Sequence, residues 1–163
     1  MIVAKQTSHL DSLNEIPAKT IGTRILEYLV PGIIILLIGY SFVQGYQEGL
    51  SQLIRWWLWN GGVAVLFTLF TFANPITILV TFVFAPLGTL LPFVSVGVFS
   101  ALTEAWFNKP TVQDFMTMDE DIRSVKGVYK NKVLKIGLIF ILASLGAAIG
   151  NLIAGLDIFR TLF

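Results

Sequence analysis

At 163 residues the chain has the length of one domain, but 55% hydrophobic and 13% charged residues set it apart from soluble domains, where about a quarter are charged. A formal charge of +1 with no basic face gives no case for nucleic-acid binding. The absence of cysteine removes disulfides, thiol chemistry and Cys-based zinc sites, and the one histidine, His9, sits in a polar leader, so neither a metal site nor a cofactor is expected.

Most charges gather between Lys5 and Arg24 and between Lys109 and Lys135, while Val30 to Gln47 and Trp56 to Thr103 hold almost none. Gaps of that kind are what a bilayer requires. The leader is too long and too polar for a signal peptide, and Asn14-Glu15-Ile16-Pro17 reads as an extended linker. Residues 1–24 are therefore expected to be a polar linker left from a preceding soluble domain, and residues 25–163 a transmembrane domain. A first span is predicted over about Leu26 to Val43, with Pro31 in its early turns, where a missing N–H costs little. From Tyr46, apolar residues Leu50, Leu53, Ile54, Trp57 and Leu58 alternate at helical spacing with Gln47, Glu48, Gln52 and Arg55. That pattern predicts an amphipathic interfacial helix, with Trp56, Trp57 and Trp59 at headgroup level. A second span follows from about Leu58 to Ala73 and stops at Asn74-Pro75.

Ile76 to Ala85 is only about ten apolar residues, too short to cross a bilayer at about 1.5 Å per residue. Pro86, Gly88 and Pro92 follow. The segment is either one kinked helix continuing through Pro86, two half-helices meeting in an unwound turn over Ala85 to Pro92, or a proline-rich interfacial connection. Backbone breaks at membrane depth only where protein or water satisfies it, and such breaks mark transport sites in many carriers.

Phe93 to Phe107 is the next predicted span, with Gly97, Ser100, Ala101 and Glu104 on one face. After Lys109-Pro110, Phe115, Met118, Ile122, Val125 and Tyr129 keep a three-four spacing that predicts a surface helix, with Thr117 and Glu120 as a capping box. The last span, Val133 to Leu156, carries Gly146 and Gly150, a close-approach pair for a helix of the same chain or of a second copy in a homo-oligomer. The basic residues before the first span and around the late connection predict that both face the cytoplasm, so the chain crosses an even number of times between Arg24 and Lys109. The fold class expected is an all-α polytopic membrane bundle of four to five spans, with a broken or re-entrant segment near Pro86 and interfacial amphipathic helices.

The ordered series Asn74-Pro75-Ile76-Thr77-Ile78-Leu79, Ala85-Pro86-Leu87-Gly88-Thr89-Leu90-Leu91-Pro92, Leu102-Thr103-Glu104-Ala105, Lys109-Pro110-x-Val112-x-Asp114-Phe115, Asn131-Lys132-Val133 and Leu145-Gly146-x-x-Ile149-Gly150 resembles the C-terminal membrane region of TraB/PrgY pheromone-shutdown proteins. The likeness covers most of the chain. In that family a soluble domain, proposed to be a metal-dependent peptidase, precedes the membrane part. Its Gly-x-x-His motif is unmatched, since Gln6-Thr7-Ser8-His9 lacks the glycine, so no catalytic residue is carried over and this chain is not expected to be an enzyme. The resemblance implies a multi-pass domain in lipid, in a prokaryotic plasma membrane, that anchors, orients or oligomerises the TraB-like soluble domain of its own full-length chain. A small transporter or channel using the Pro86 break and Glu104 is the competing expectation. Glu104 is the leading polar candidate because an acid inside a span normally has a partner or a water-filled cavity, and Asn74, Thr89 and Asn151 are its expected partners.

Overall fold

Every long apolar run is helical in the computed structural model, which describes residues 21–90 and 95–162. Eight helices and no strand occur among the described residues: α1 (Ile21–Gln44), α2 (Tyr46–Leu69), α3 (Pro75–Leu90), α4 (Val96–Phe107), the short α5 (Val112–Met116), α6 (Met118–Asp121) and α7 (Val125–Lys130), and α8 (Lys132–Leu162). Pro92, His9 and the linker expected over 1–24, apart from its last four residues, lie outside the described residues.

Helices α2 and α8 form the central antiparallel pair, and small residues set their distance. A Cβ added at Gly146 would lie 2.8 Å from the Ala64 Cα, and one at Gly150 would lie 2.9 Å from the Asn60 carbonyl oxygen. Four residues forward in α8 therefore match four back in α2, so Ala154 falls level with Trp56, and Asp157 and Ile158 with Gln52 and Leu53. Helix α1 folds back on α2 around Gly45 and closes one end of this pair, where Ile34, Ile38, Trp56, Ala154 and Ile158 form a buried cluster. Helices α3 and α4 form a hairpin against the other side of α2 and α8, joined by stacked Phe84 and Phe99 rings, with centroids 4.4 Å apart, and by a 2.7 Å bond between the Thr81 and Ser100 hydroxyls. Gly97 lets α4 meet α8 at Phe140 and Ser144.

Four expectations are corrected. The interfacial helix from Tyr46 and the span from Leu58 are one continuous helix, α2, since nothing between them breaks the i to i−4 ladder. Trp56 consequently sits in the core at 1% exposure instead of at a headgroup level. Of the readings of the Pro86 segment, the one of a single helix continuing through the proline holds: α3 runs through Pro86 and Gly88 to Leu90 without unwinding at Ala85. Pro86 cannot donate to the Phe82 carbonyl, which instead faces Gly61 of α2, where a Cβ would stand 2.8 Å from that oxygen. The capping box is Thr111 with Asp114, not Thr117 with Glu120, because Pro110 ends the preceding segment and Thr111 takes the extended conformation an N-cap needs. The connection is accordingly three short helices in place of one.

Candidate functional site

Glu104 lies at the last turn of α4 and is completely buried. Its Oε2 accepts from the Asn74 backbone N–H at 2.9 Å and from the Thr77 hydroxyl at 2.8 Å, and its Oε1 from the Asn108 amide at 2.8 Å. The Lys135 ammonium of α8 stands 3.3 Å from the same Oε1. Two carboxylate oxygens offer about four lone-pair positions, and here four donors meet them. The sequence arranges this locally. Asn74 caps α3, its side-chain oxygen accepting from the Ile76 N–H at 3.0 Å, and Pro75 follows at the first helical position, where the lost N–H is free of cost. The carboxylate thus occupies the positive end of α3 while tying α3, α4 and α8 together.

Lys135 also donates to the Phe72 carbonyl at 2.8 Å, and the Tyr129 hydroxyl donates to that of Phe70 at 2.7 Å, so the turn between α2 and α3 is held to the late connection. Phe72 has φ of 49°, a left-handed conformation that costs a non-glycine residue about 1–2 kcal/mol and that these contacts hold in place.

Of the partners expected for Glu104, Asn74 is present through its backbone N–H, whereas Thr89 and Asn151 are elsewhere. Thr89 accepts from the buried Asn60 amide at 2.8 Å and donates to the Ala85 carbonyl. Asn151 lines a cavity of about 230 Å³ with Gly88, Thr89, Ser95 and Ser144, and its Oδ1 is buried without a protein partner. Thr77, Asn108 and Lys135 were not anticipated. Asn108 was legible as the residue four after Glu104; Lys135 was masked by its place among six basic residues.

Asn131, only 2% exposed, organises the late connection and was also missed. Its Oδ1 caps α8 through the Val133 and Leu134 N–H groups, while its amide donates to the Asp114 carbonyl and the Asp121 carboxylate at 2.7 and 2.9 Å. Those bonds leave clear electrostatic marks. Hydrogen bonds from the Thr111 side chain and backbone hold the Asp114 carboxyl below its ordinary value, and those from Asn131 and Thr117 do the same for Asp121.

The class these features define is an all-α bundle with internal polar staples, one helix of which, α8, is long and apolar enough to cross a membrane. The chain belongs to the TraB family: residues 22–163 match the family's C-terminal domain. Among relatives, the uncharacterized protein MJ1365 of Methanocaldococcus jannaschii is 34% identical over 98 residues, 59% of this chain and 24% of that protein. The match thus spans about a quarter of the relative's length. No solved structure matches.

Proposed function

We propose that the chain is a polytopic membrane domain that anchors and orients the soluble domain of a longer TraB-family protein. The observation that carries this reading is polarity turned inside out. Gln52, Asn60, Thr68, Thr77, Thr81, Ser100 and Glu104 are buried, while Leu36, Val43, Leu66, Leu79, Leu102, Leu152 and Leu156 are more than half exposed. Exposed apolar area of that extent on several helices is rare in monomeric soluble domains and marks a surface covered by lipid or by other protein. Only 28% of the most apolar stretch of α8 is buried in the bundle, which leaves the rest to lipid.

Helices α1, α2 and α8, of 24, 24 and 31 residues, reach about 36, 36 and 46 Å, enough for a hydrocarbon core of about 30 Å. The 16 and 12 residues of α3 and α4 reach about 24 and 18 Å and form a re-entrant hairpin. This gives an even number of passages between Arg24 and Lys109, with the basic connection in the cytoplasm and the end of α8 outside. Anchoring is favoured over transport because the acceptor positions of Glu104 are filled by donors of the bundle, and the cavity beside Gly88 and Thr89 is not lined by it. In cells making the full-length protein, deletion of the segment equivalent to this chain should release the remainder into the soluble fraction, while the chain alone should resist extraction by alkaline carbonate. A remainder that stays on membranes, or a chain that washes off, would defeat the proposal.

A further inference from the structure

Where α1 turns into α2, a cleft of about 410 Å³ has walls that are wholly polar. That volume lies toward the small end of ligand pockets, which run from about 300 to 1,000 Å³. Helix α2 supplies most of the lining: Glu48, Ser51, Gln52 and Arg55 stand at offsets of three, four and seven and share one face. Ser41 of α1 and Thr161 of α8 complete it, with their hydroxyls already donated to the Leu37 and Asp157 carbonyls. Gln52 is 3% exposed, and its Nε2 has no protein partner. Glu48 and Arg55 are exposed, and neither makes a hydrogen bond or ion pair among the described residues.

The order of the charges with depth narrows the ligand. About 30 Å of the roughly 36 Å of α2 lies in hydrocarbon, which puts Glu48 near the outer edge and Arg55 about 10 Å deeper. A charge at that depth normally has a counter-charge or a hydrated cavity. Helical side chains lean toward the N-terminus, which brings Arg55 toward Gln52 and the mouth. An anion therefore belongs deep, against Arg55 and the Gln52 amide, and a cation belongs shallow, against Glu48. Phosphate is an anion that matches the guanidinium fork. Inward of Arg55 the same stripe of α2 becomes apolar, with Trp59 and Leu66 exposed on either side of Gly62, where an added Cβ would meet nothing within 4 Å. That stripe is a track for lipid chains.

We propose that this cleft binds one phospholipid of the outer leaflet by an aminoalkyl phosphate head group, with the phosphate on Arg55 and Gln52, the primary ammonium on Glu48 and the chains along Trp59 and Leu66. Such a lipid presents chains, phosphate and ammonium in that order from the bilayer outward, which is the order of the residues that would meet them. The site rests on the membrane reading and goes beyond anchoring, because it selects one lipid chemistry over others. A soluble aminoalkyl phosphate carries the same charges without the chains, so the test separates the two.

The chain, purified in a neutral detergent, is titrated with phosphatidylethanolamine, with phosphatidylglycerol, which keeps the phosphate and lacks the ammonium, and with free phosphoethanolamine. Native mass spectrometry counts what is bound. Phosphatidylethanolamine should bind as one lipid per chain and roughly tenfold or more tightly than either of the others. Arg55→Gln should weaken both lipids by roughly tenfold, Arg55→Lys by less, and Glu48→Gln should bring the two lipids level. Both side chains are exposed, so these variants keep the fold. Equal binding of the two lipids by the unsubstituted chain, or unchanged binding by Arg55→Gln, would overturn the site while the membrane reading stood. Free phosphoethanolamine binding as tightly as the lipid would assign the cleft to a soluble ligand and overturn the lipid. A chain that stays monodisperse without detergent would defeat the membrane reading itself, and the site with it.

Discussion

A close backbone approach between α2 and α8 yields a sharp test of the fold. An alanine Cβ at Gly150 would stand 2.9 Å from the Asn60 carbonyl oxygen and 3.0 Å from the Asn60 Cα, both backbone atoms that cannot swing aside. The helices must then separate by several tenths of an ångström along a seam where Gly146 makes a second contact at 2.8 Å. Overpacking of that kind costs about 1–3 kcal/mol, against about 0.5–1 kcal/mol gained from replacing a mid-helix glycine. Gly150→Ala should therefore lose about 1–2 kcal/mol net, or roughly 2–8 °C in midpoint. Gly155→Ala is the control on the same helix, since nothing lies within 4 Å of its added Cβ, and it should be neutral or stabilising. Thermal unfolding in detergent, followed by loss of monodisperse protein or by tryptophan emission, separates the two. Gly150→Leu should exceed Gly150→Ala, while Ile141→Leu on the exposed face should do little. A Gly150→Ala variant as stable as Gly155→Ala would refute the α2 and α8 pairing.

Glu104→Leu strands the Asn74, Thr77 and Asn108 donors and leaves the partly exposed Lys135 with only the Phe72 carbonyl, and should cost about 2–4 kcal/mol, whereas Glu104→Gln keeps the shape and should lose about half as much, read in the same unfolding assay. Asn131→Ala removes the α8 cap, worth about 1 kcal/mol, and the Asp121 carboxyl should move up toward an ordinary aspartate, as carboxyl NMR titration would report. Asp114 and Asp121 have folded values below their unfolded ones, so the stability they contribute is fully present above the unfolded value of about 3.9 and is lost as pH falls through the folded value. Order in the late connection should thus persist to below about pH 4 and then melt, and hydrogen exchange at the α5 to α7 amides across that range checks it.

The apolar runs fixed the number and rough limits of the long helices, because a stretch such as Leu134 to Ile153 has little alternative to a helix. What composition hid was partnership. Gln52 and Arg55 lie one turn apart on α2 and look alike on a helical wheel, yet one is core and the other surface, since only α8 with its small residues can cover Gln52. Trp56 looked interfacial for the same reason. Pro86 was ambiguous because a proline is tolerated in a helix when its orphaned carbonyl finds another neighbour, and Gly61, 25 positions earlier, supplies it. Glu104 stood out as an acid in an apolar run. Its cation, Lys135, could not be picked from its neighbours without knowing that the turn at Phe72 and the start of α8 meet.

The arrangement of crossings carries the whole account, and opposite ends of α2 and α8 report on it. Single cysteines at Lys126, in α7, and at Gln47, at the start of α2, should differ in intact cells. An impermeant thiol reagent added outside should label Gln47→Cys and spare Lys126→Cys until the membrane is permeabilised. Labelling of both, or of neither, without permeabilisation would contradict a bundle that holds its basic connection in the cytoplasm and its α1 to α2 turn outside.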